Sequence, residues 1–185
     1  MQKQMIIISG QPGSGKSTIG RYFAQYFDIA FLDKDIICDD FTFYIMKNLF
    51  NKENDKDSKE YKENVRDLEY LTLRKILKSQ LDIEVSFVAV APFTKEINEN
   101  SNYFDDLIQL AELKGYDIYF IHLVSNENDL KKRIIRRNKP EDAAKIKNWD
   151  EYIKRFENNN LKSYIKKFLN DNFDDTIDNI MNYIN

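Results

Sequence analysis

Gly10-Gln11-Pro12-Gly13-Ser14-Gly15-Lys16-Ser17 sets three glycines, a lysine and a hydroxyl at the spacing G-x-x-x-x-G-K-[ST]. Glycines at 10, 13 and 15 let the backbone curl around Ser14 with its N–H groups turned inward, a nest for phosphate oxygens at a helix N-terminus. Side chains at those positions would block the ligand. Lys16 can then reach β- and γ-phosphates, Ser17 can offer its hydroxyl to Mg²⁺, and Thr18 falls near the α-phosphate. A glycine turn without a ligand needs neither the lysine nor two hydroxyls at the first helical positions. The expected occupant is a nucleoside triphosphate with its magnesium ion.

Such a loop serves transferases and hydrolases alike, so the reaction has to be read elsewhere. Asp33 and Asp35 stand just past a second short apolar run, Ile29 to Leu32. In an open α/β sheet ligands gather at the carboxyl ends of strands, which turns both acids towards the γ-phosphate end of the loop. Asp-x-Asp there can orient the proton of an acceptor hydroxyl and add charge beside Mg²⁺. An aspartate before a helix also caps it. Asp33 suits either role, and Asp35 suits the chemical one better.

The elements that must position these groups follow from periodicity. Met5 to Ser9 reads as a strand buried on both faces, and Ile19, Tyr22, Phe23, Tyr26 and Phe27 mark one face of a helix from Ser17 to Phe27. Ile29 to Leu32 completes a βαβ unit, with a helix from Asp35. Asn51 to Asn64 is almost wholly polar and is expected to be a solvated loop or helix start. Leu68 to Leu81 is helical; Val85 to Ala91 is a central strand stopped by Pro92. A helix from about Tyr103 to Lys114, a strand from Asp117 to Val124 and a basic helix from Glu127 to Arg137, ending near Asn138-Lys139-Pro140, come next. From Trp149 onward the pattern is helical, and a fifth strand has room only around Lys167 to Leu169.

GQPGSGKST followed after a short helix by FLDKD resembles the small P-loop kinases, the group that includes gluconate kinase, shikimate kinase, polynucleotide 5′-kinases and zeta-type toxins. The likeness is firmest in the first forty residues. It implies a three-layer α/β/α nucleoside triphosphate hydrolase fold, with a mostly parallel sheet of four or five strands and a short lid, and transfer of phosphate from ATP to a hydroxyl. It also implies that Asp35 is the catalytic base and that Asp33 lies nearer the metal. The run from His122 to Asn138 is similar to the strand and lid helix of these kinases, whose arginines close over the nucleotide. Arg133 and Arg137 share a helical face there, with Arg136 as substitute if the register slips. Val88-Ala89-Val90-Ala91-Pro92-Phe93 departs from the group in lacking the acid that often follows this strand, which leaves more of the Mg²⁺ work to Ser17 and Asp33. One domain over residues 1–185 is expected, with a lid near 133–145 and an acceptor-binding region near 36–80.

Composition narrows the partners. A net charge of −3 gives no global positive field for holding duplex DNA, so nucleic acid enters only as an end-bound acceptor. One cysteine and one histidine exclude an internal disulfide framework and a zinc site built from those types alone. The apolar run at Met5 to Ile8 is far short of a membrane span, and a cytoplasmic monomer or homodimer is expected. His122 reads as a hydrogen-bonded core residue, Cys38 as half-buried, and Phe41, Phe43 and Tyr44 as core packing; Trp149-Asp150 has no assigned role. Guanine nucleotide is disfavoured because no N-K-x-D segment follows the fourth strand. Two further readings stand beside a small-molecule kinase using ATP: a polynucleotide or nucleotide-sugar kinase of the toxin type, and an ATP-binding switch or slow ATPase.

Overall fold

Ile6, Ile7 and Ile8 favour extended backbone, and an apolar run without alternation suits a strand covered on both faces. That strand is β1, Lys3–Gly10, in which Met5 through Ile8 are at most 1% exposed. The computed structural model describes residues 2–53, 55–138, 142–157 and 160–185. Strands β2 (Ala30–Asp33), β3 (Phe87–Val90), β4 (Tyr116–Val124) and β5 (Lys166–Leu169) join β1 in the order β2-β3-β1-β4-β5, every neighbouring pair parallel. Parallel neighbours require crossovers. These contain α1 (Lys16–Phe27); α2 (Lys34–Phe50), α3 (Lys59–Asn64) and α4 (Arg66–Asp82); α5 (Asp105–Leu113); and α6 (Glu127–Arg137), α7 (Ala143–Lys147) and α8 (Trp149–Glu157). Helix α9 (Phe173–Ile184) closes the chain.

Successive residues of β1 point to opposite layers. Ile6 and Ile8 pack with Ile19 and Phe23 of α1 and Ile177 and Ile180 of α9. Met5 and Ile7 pack with Leu73, Leu77 and Leu81 of α4 and Leu107 and Ala111 of α5. Full burial of each such side chain contributes about 1.5–3 kcal/mol, and the two half-cores make a three-layer α/β/α sandwich. The strand order puts β3 between β1 and β2. The chain leaves β1 towards one edge and later crosses to the other, so a crevice opens at the carboxyl ends of β1 and β3.

Some local expectations change, while the fifth strand and the core position of His122 are as expected. Residues 51–64 are not simply a wet surface: α3 buries Tyr61, and Lys56 turns inward to Asp35 and Asp39. The fifth strand exists, and its residues Lys166-Lys167-Phe168-Leu169 conceal it because only Phe168 enters the core. Cys38 is fully buried rather than half-buried, and burial, with Glu69 nearby, pushes its thiol up to about 11. Phe43 and Tyr44 are exposed instead of packing the core. Trp149 is buried and donates from Nε1 to Glu127 Oε1 at 2.8 Å, packing with Leu130, Ile134 and Tyr152 to join α6 to α8. His122 lies in the core with Nδ1 2.9 Å from Ser9 Oγ; burial, then Lys167 and Lys16, lower its pKa to about 4. Helix α6 is capped by Asn138; Lys139 and Pro140 lie outside the described residues. Among the described residues no helix is long and apolar enough to cross a membrane.

Candidate active site

The turn between β1 and α1 can close only if two glycines remain bare. A Cβ on Gly10 would lie 2.4 Å from the Leu123 carbonyl oxygen, and one on Gly15, whose φ is 89°, would lie 2.3 Å from Asn170 Nδ2. Asn170 donates from that nitrogen to the Ser14 carbonyl at 2.7 Å, so the end of β5 buttresses the loop from behind. Ser14 Oγ and Gln11 Oε1 are buried with no hydrogen-bond partner among the described residues. Bare Gly13 and Gly15 line the cavity at the N-terminus of α1 beside Lys16, a cradle that a Cβ would fill and that fits an anionic ligand such as a triphosphate. Lys16 Nζ donates to the Gln11 carbonyl at 2.7 Å. Burial lowers its pKa to about 8; Asp35 opposes that shift and Arg137 adds to it.

Asp33 has two tasks at once. Its Oδ1 accepts from the Asp35 N–H at 2.9 Å, capping α2, and its Oδ2 accepts from Ser17 Oγ at 2.6 Å. The cap and the contact with Ser17 therefore use different oxygens. A hydroxyl and a carboxylate brought together in this way are hard oxygen donors of the kind Mg²⁺ takes alongside phosphate and water. Among the described residues no group of three or more His, Cys, Asp or Glu gathers to hold a metal.

Asp35 follows at the first turn of α2. Its Oδ1 lies 2.9 Å from Lys34 Nζ and 3.3 Å from Lys56 Nζ. Burial alone would raise the carboxyl, but these two ammonium groups outweigh it and hold it far below the usual carboxylate range. Lys34 is itself buried and pairs with Glu69 Oε2 at 2.5 Å; Asp35 and Glu69 overcome its burial and keep it charged. Glu69 also accepts from Thr42 Oγ1 at 2.6 Å and Tyr61 Oη at 2.7 Å. Next to this network, Arg66 places Nη1 and Nη2 on the two oxygens of Glu96 at 2.9 and 3.0 Å and stacks over Tyr70 at 4.3 Å. The turn after β3 presents Glu96 through a left-handed Phe93, φ 49°, whose N–H donates to Tyr70 Oη.

On the opposite side, Arg133 donates to Ser125 Oγ at 3.0 Å and to the Asn170 carbonyl at 2.7 Å. Arg137 meets Asp142 through Nε at 2.5 Å and Nη2 at 2.6 Å, and Lys145 reaches the same carboxylate at 2.9 Å. A cavity of about 850 Å³ collects these groups: Gly13, Gly15, Lys16, Ser17 and Thr18 from the loop, Asp33 and Asp35 from the end of β2, and Arg133 and Arg137 from α6 line it together. Gly10 and Ser14 are buried in the loop's frame and do not line it. Arg136 is exposed and away from the lining, so the register expected from the four-residue spacing is the one the structure adopts.

Residues 5–158 match the family AAA_33, described as an AAA domain. The chain belongs to that family. Within the AAA domain, a 64-residue stretch is 36% identical to shikimate kinase of Vibrio vulnificus, covering 35% of this chain and 37% of that enzyme, so the match spans little more than a third of the curated relative. Two solved structures share the fold of the AAA-domain chain at low identity. One is a gluconokinase from Sinorhizobium meliloti, at 16% identity and a TM-score of 0.61 over 98% of this chain and 91% of that one. The other is a sugar kinase from Janibacter sp. HTCC2649, at 17% identity and 0.64 over 98% and 94%. The fold is that of the small P-loop kinases the sequence resembles.

Sequence reasoning missed a second tier of residues in this AAA domain: Lys34, Lys56, Arg66, Lys145 and Tyr61 all line the cavity. Lysine is so common in this chain that single lysines carried no signal. Lys34 between Asp33 and Asp35 was the best clue available, since a cation between two acids at a strand end has a ready pairing role.

Proposed function

We propose that this AAA-domain chain moves the γ-phosphate of ATP to a hydroxyl of a small molecule or nucleotide. The observation that carries the reading is the cavity in which Lys16, the Ser17–Asp33 pair and the ionised carboxylate of Asp35 meet. In this reading the loop N–H groups and Lys16 hold the phosphates. Ser17 and Asp33 would hold the Mg²⁺ that accompanies ATP, which neutralises charge on β- and γ-oxygens when bound. Asp35 accepts a hydrogen bond from the acceptor hydroxyl and so fixes its oxygen in line with the γ-phosphorus. The oxygen–phosphorus bond forms as the β–γ bridge breaks, ADP leaves, and the hydroxyl proton passes by way of Asp35 to solvent. A loose transition state needs little activation of the nucleophile, so a strongly ionised carboxylate suffices. Arg133, Arg137 and Lys145, from a lid near residues 133–145, add charge stabilisation to the transferred group. Residues 139–141 of that lid lie outside the described residues. The acceptor sits against residues from about 36–80.

The segment shared with shikimate kinase and the fold shared with gluconokinase support a small alcohol as acceptor. An ATP-binding switch would have no use for a carboxylate held ionised by two lysines beside the γ-phosphate site. The test is ATP consumption with Mg²⁺ across a panel of alcohols, sugars, nucleosides and 5′-hydroxyl oligonucleotides. Stimulation by an acceptor, abolished by Lys16→Ala and by Asp35→Asn, is expected. Tight ATP binding with no stimulated turnover and no effect of Asp35→Asn would replace the kinase with a switch.

A further inference from the structure

Asn170, the residue after β5, ties together parts of the chain that lie far apart in sequence. Its backbone N–H donates to the Val124 carbonyl at the end of β4 at 2.7 Å. Its own carbonyl accepts from Ser125 Oγ at 3.1 Å and from Arg133 Nη2 of α6 at 2.7 Å. Its side chain serves the phosphate loop: Nδ2 donates to the Ser14 carbonyl at 2.7 Å, while Oδ1 accepts from Thr176 Oγ1 of α9 at 3.2 Å. Only the NH₂ end of an amide can donate to a carbonyl, and Thr176 stands at the oxygen end, so the orientation of the amide is set. Asn170 is 5% exposed and lies behind the cavity lining, to which Gly15 and Arg133 both belong.

In a trans peptide the carbonyl and the following N–H point in opposite directions. Holding the Ser14 carbonyl from behind therefore turns the Gly15 N–H to the cavity side. The first N–H groups of a helix have no intrahelical acceptor, so the plane of this peptide, at the N-cap of α1, has to be set from outside the helix. The amide bears directly on it, since Nδ2 stands 2.3 Å from where a Cβ on Gly15 would be. A side chain that only filled this space could be apolar; an amide is needed because it faces a carbonyl that must be held. We propose that Asn170 is a positioning residue for phosphate binding: its amide aims the Gly15 N–H into the cavity and its carbonyl anchors Arg133 there. One buried residue that touches no ligand thus sets the spacing between the loop's donors and an arginine of the lid helix. This rests on the reading of the loop as the ATP site of a kinase.

Calorimetry of ADP and of a non-hydrolysable ATP analogue, each with Mg²⁺, on the full chain compares the wild type with Asn170→Ala and Asn170→Leu. Both variants remove the donor, and leucine keeps the volume. Each is expected to weaken both nucleotides by about 10- to 100-fold, the scale of one hydrogen bond to a charged group. Wild-type affinity in Asn170→Leu would reduce the residue to packing and overturn the proposal. A double-mutant cycle reads the spacing: Arg133→Ala should cost less in the Asn170→Ala background than in the wild type, and additive losses would overturn the common anchor. A measurement on the unaltered protein covers the case in which the variants do not fold. The Gly15 amide proton is expected to move downfield in nuclear magnetic resonance spectra when ADP is added, as a donor does on meeting phosphate. ADP bound with that resonance unmoved would overturn the proposal whatever the variants do. The kinase reading fails separately: nucleotide bound in this way, without turnover on any alcohol, would sink the kinase and keep Asn170 in its role. Acceptor-stimulated turnover unaffected by Asn170→Leu would keep the kinase and sink the role, and a wild type that binds neither nucleotide overturns both.

Discussion

Ser17 Oγ donates to Asp33 Oδ2 at 2.6 Å, joining the first turn of α1 to the last residue of β2 across β3, which separates β1 from β2 in the sheet. The contact pairs the two oxygens to which the proposed function gives Mg²⁺, while the other oxygen of Asp33 caps α2. Asp33→Asn keeps a capping oxygen and removes the charge. It is expected to raise the half-saturating Mg²⁺ concentration for ATP-dependent turnover by about 10- to 100-fold, with thermal stability little changed. Asp33→Ala also loses the cap and should cost about 1 kcal/mol in urea denaturation.

Lys16 links phosphate binding to proton uptake. Burial brings its pKa down to about 8, so the free protein carries a partly neutral lysine just above that pH. Charging Lys16 in the folded protein is unfavourable, so its contribution to stability rises as pH increases from below 8 towards the ordinary lysine value. Phosphates restore the charge. ATP binding at pH 8.5 is therefore expected to take up roughly three-quarters of a proton. Calorimetry in buffers of different ionisation enthalpy measures this directly, and Lys16→Met should abolish the uptake.

The parts of this site that could be read in the sequence are those whose chemistry is local. Gly10 to Ser17 carries its meaning in spacing alone, and Asp33 and Asp35 carry theirs by following a strand. The sheet was readable wherever strands are uniformly apolar, as at Ile6 to Ile8 and Phe87 to Val90. Strand β5 left only a faint trace around Lys167 to Leu169, because an edge strand in which only Phe168 is buried has little hydrophobic pattern to display. Lys56, Arg66, Glu69 and Glu96 were hidden for another reason. Their importance lies in pairings between residues 21 to 35 apart in sequence, such as Lys56 with Asp35, Arg66 with Glu96 and Lys34 with Glu69, and periodicity holds no trace of such partners.

Glu69 ties this hidden network together. Fully buried, it accepts from Lys34, Thr42 and Tyr61, and its removal would leave a buried ammonium without one of its two carboxylate partners. Glu69→Ala is expected to destabilise the fold by about 3–5 kcal/mol in urea denaturation. Adding Lys34→Met to that variant should recover part of the loss, because the uncompensated charge goes too. Additive effects of the two substitutions would contradict the coupling.

Asp35 separates orientation from proton abstraction. Lys34 and Lys56 outweigh burial and hold its carboxyl far below the ordinary range, so it is ionised throughout the pH range in which the protein is assayed. Because the folded pKa is depressed, the stabilising contribution of this group is complete above the unfolded value and is lost only as pH falls through the folded one. Acceptor-stimulated turnover should then show no acid limb from Asp35 above about pH 5. Lys56→Met removes one of the two cations and is expected to move the limb up towards ordinary aspartate values. Asp35→Asn keeps the shape and loses the charge, and should lower kcat by about 10²- to 10⁴-fold with ATP affinity within about twofold. A full pH profile of the three proteins decides the matter: a limb unchanged by Lys56→Met would mean that Asp35 is not the group setting it, and a loss confined to KM would make Asp35 an acceptor-binding residue only.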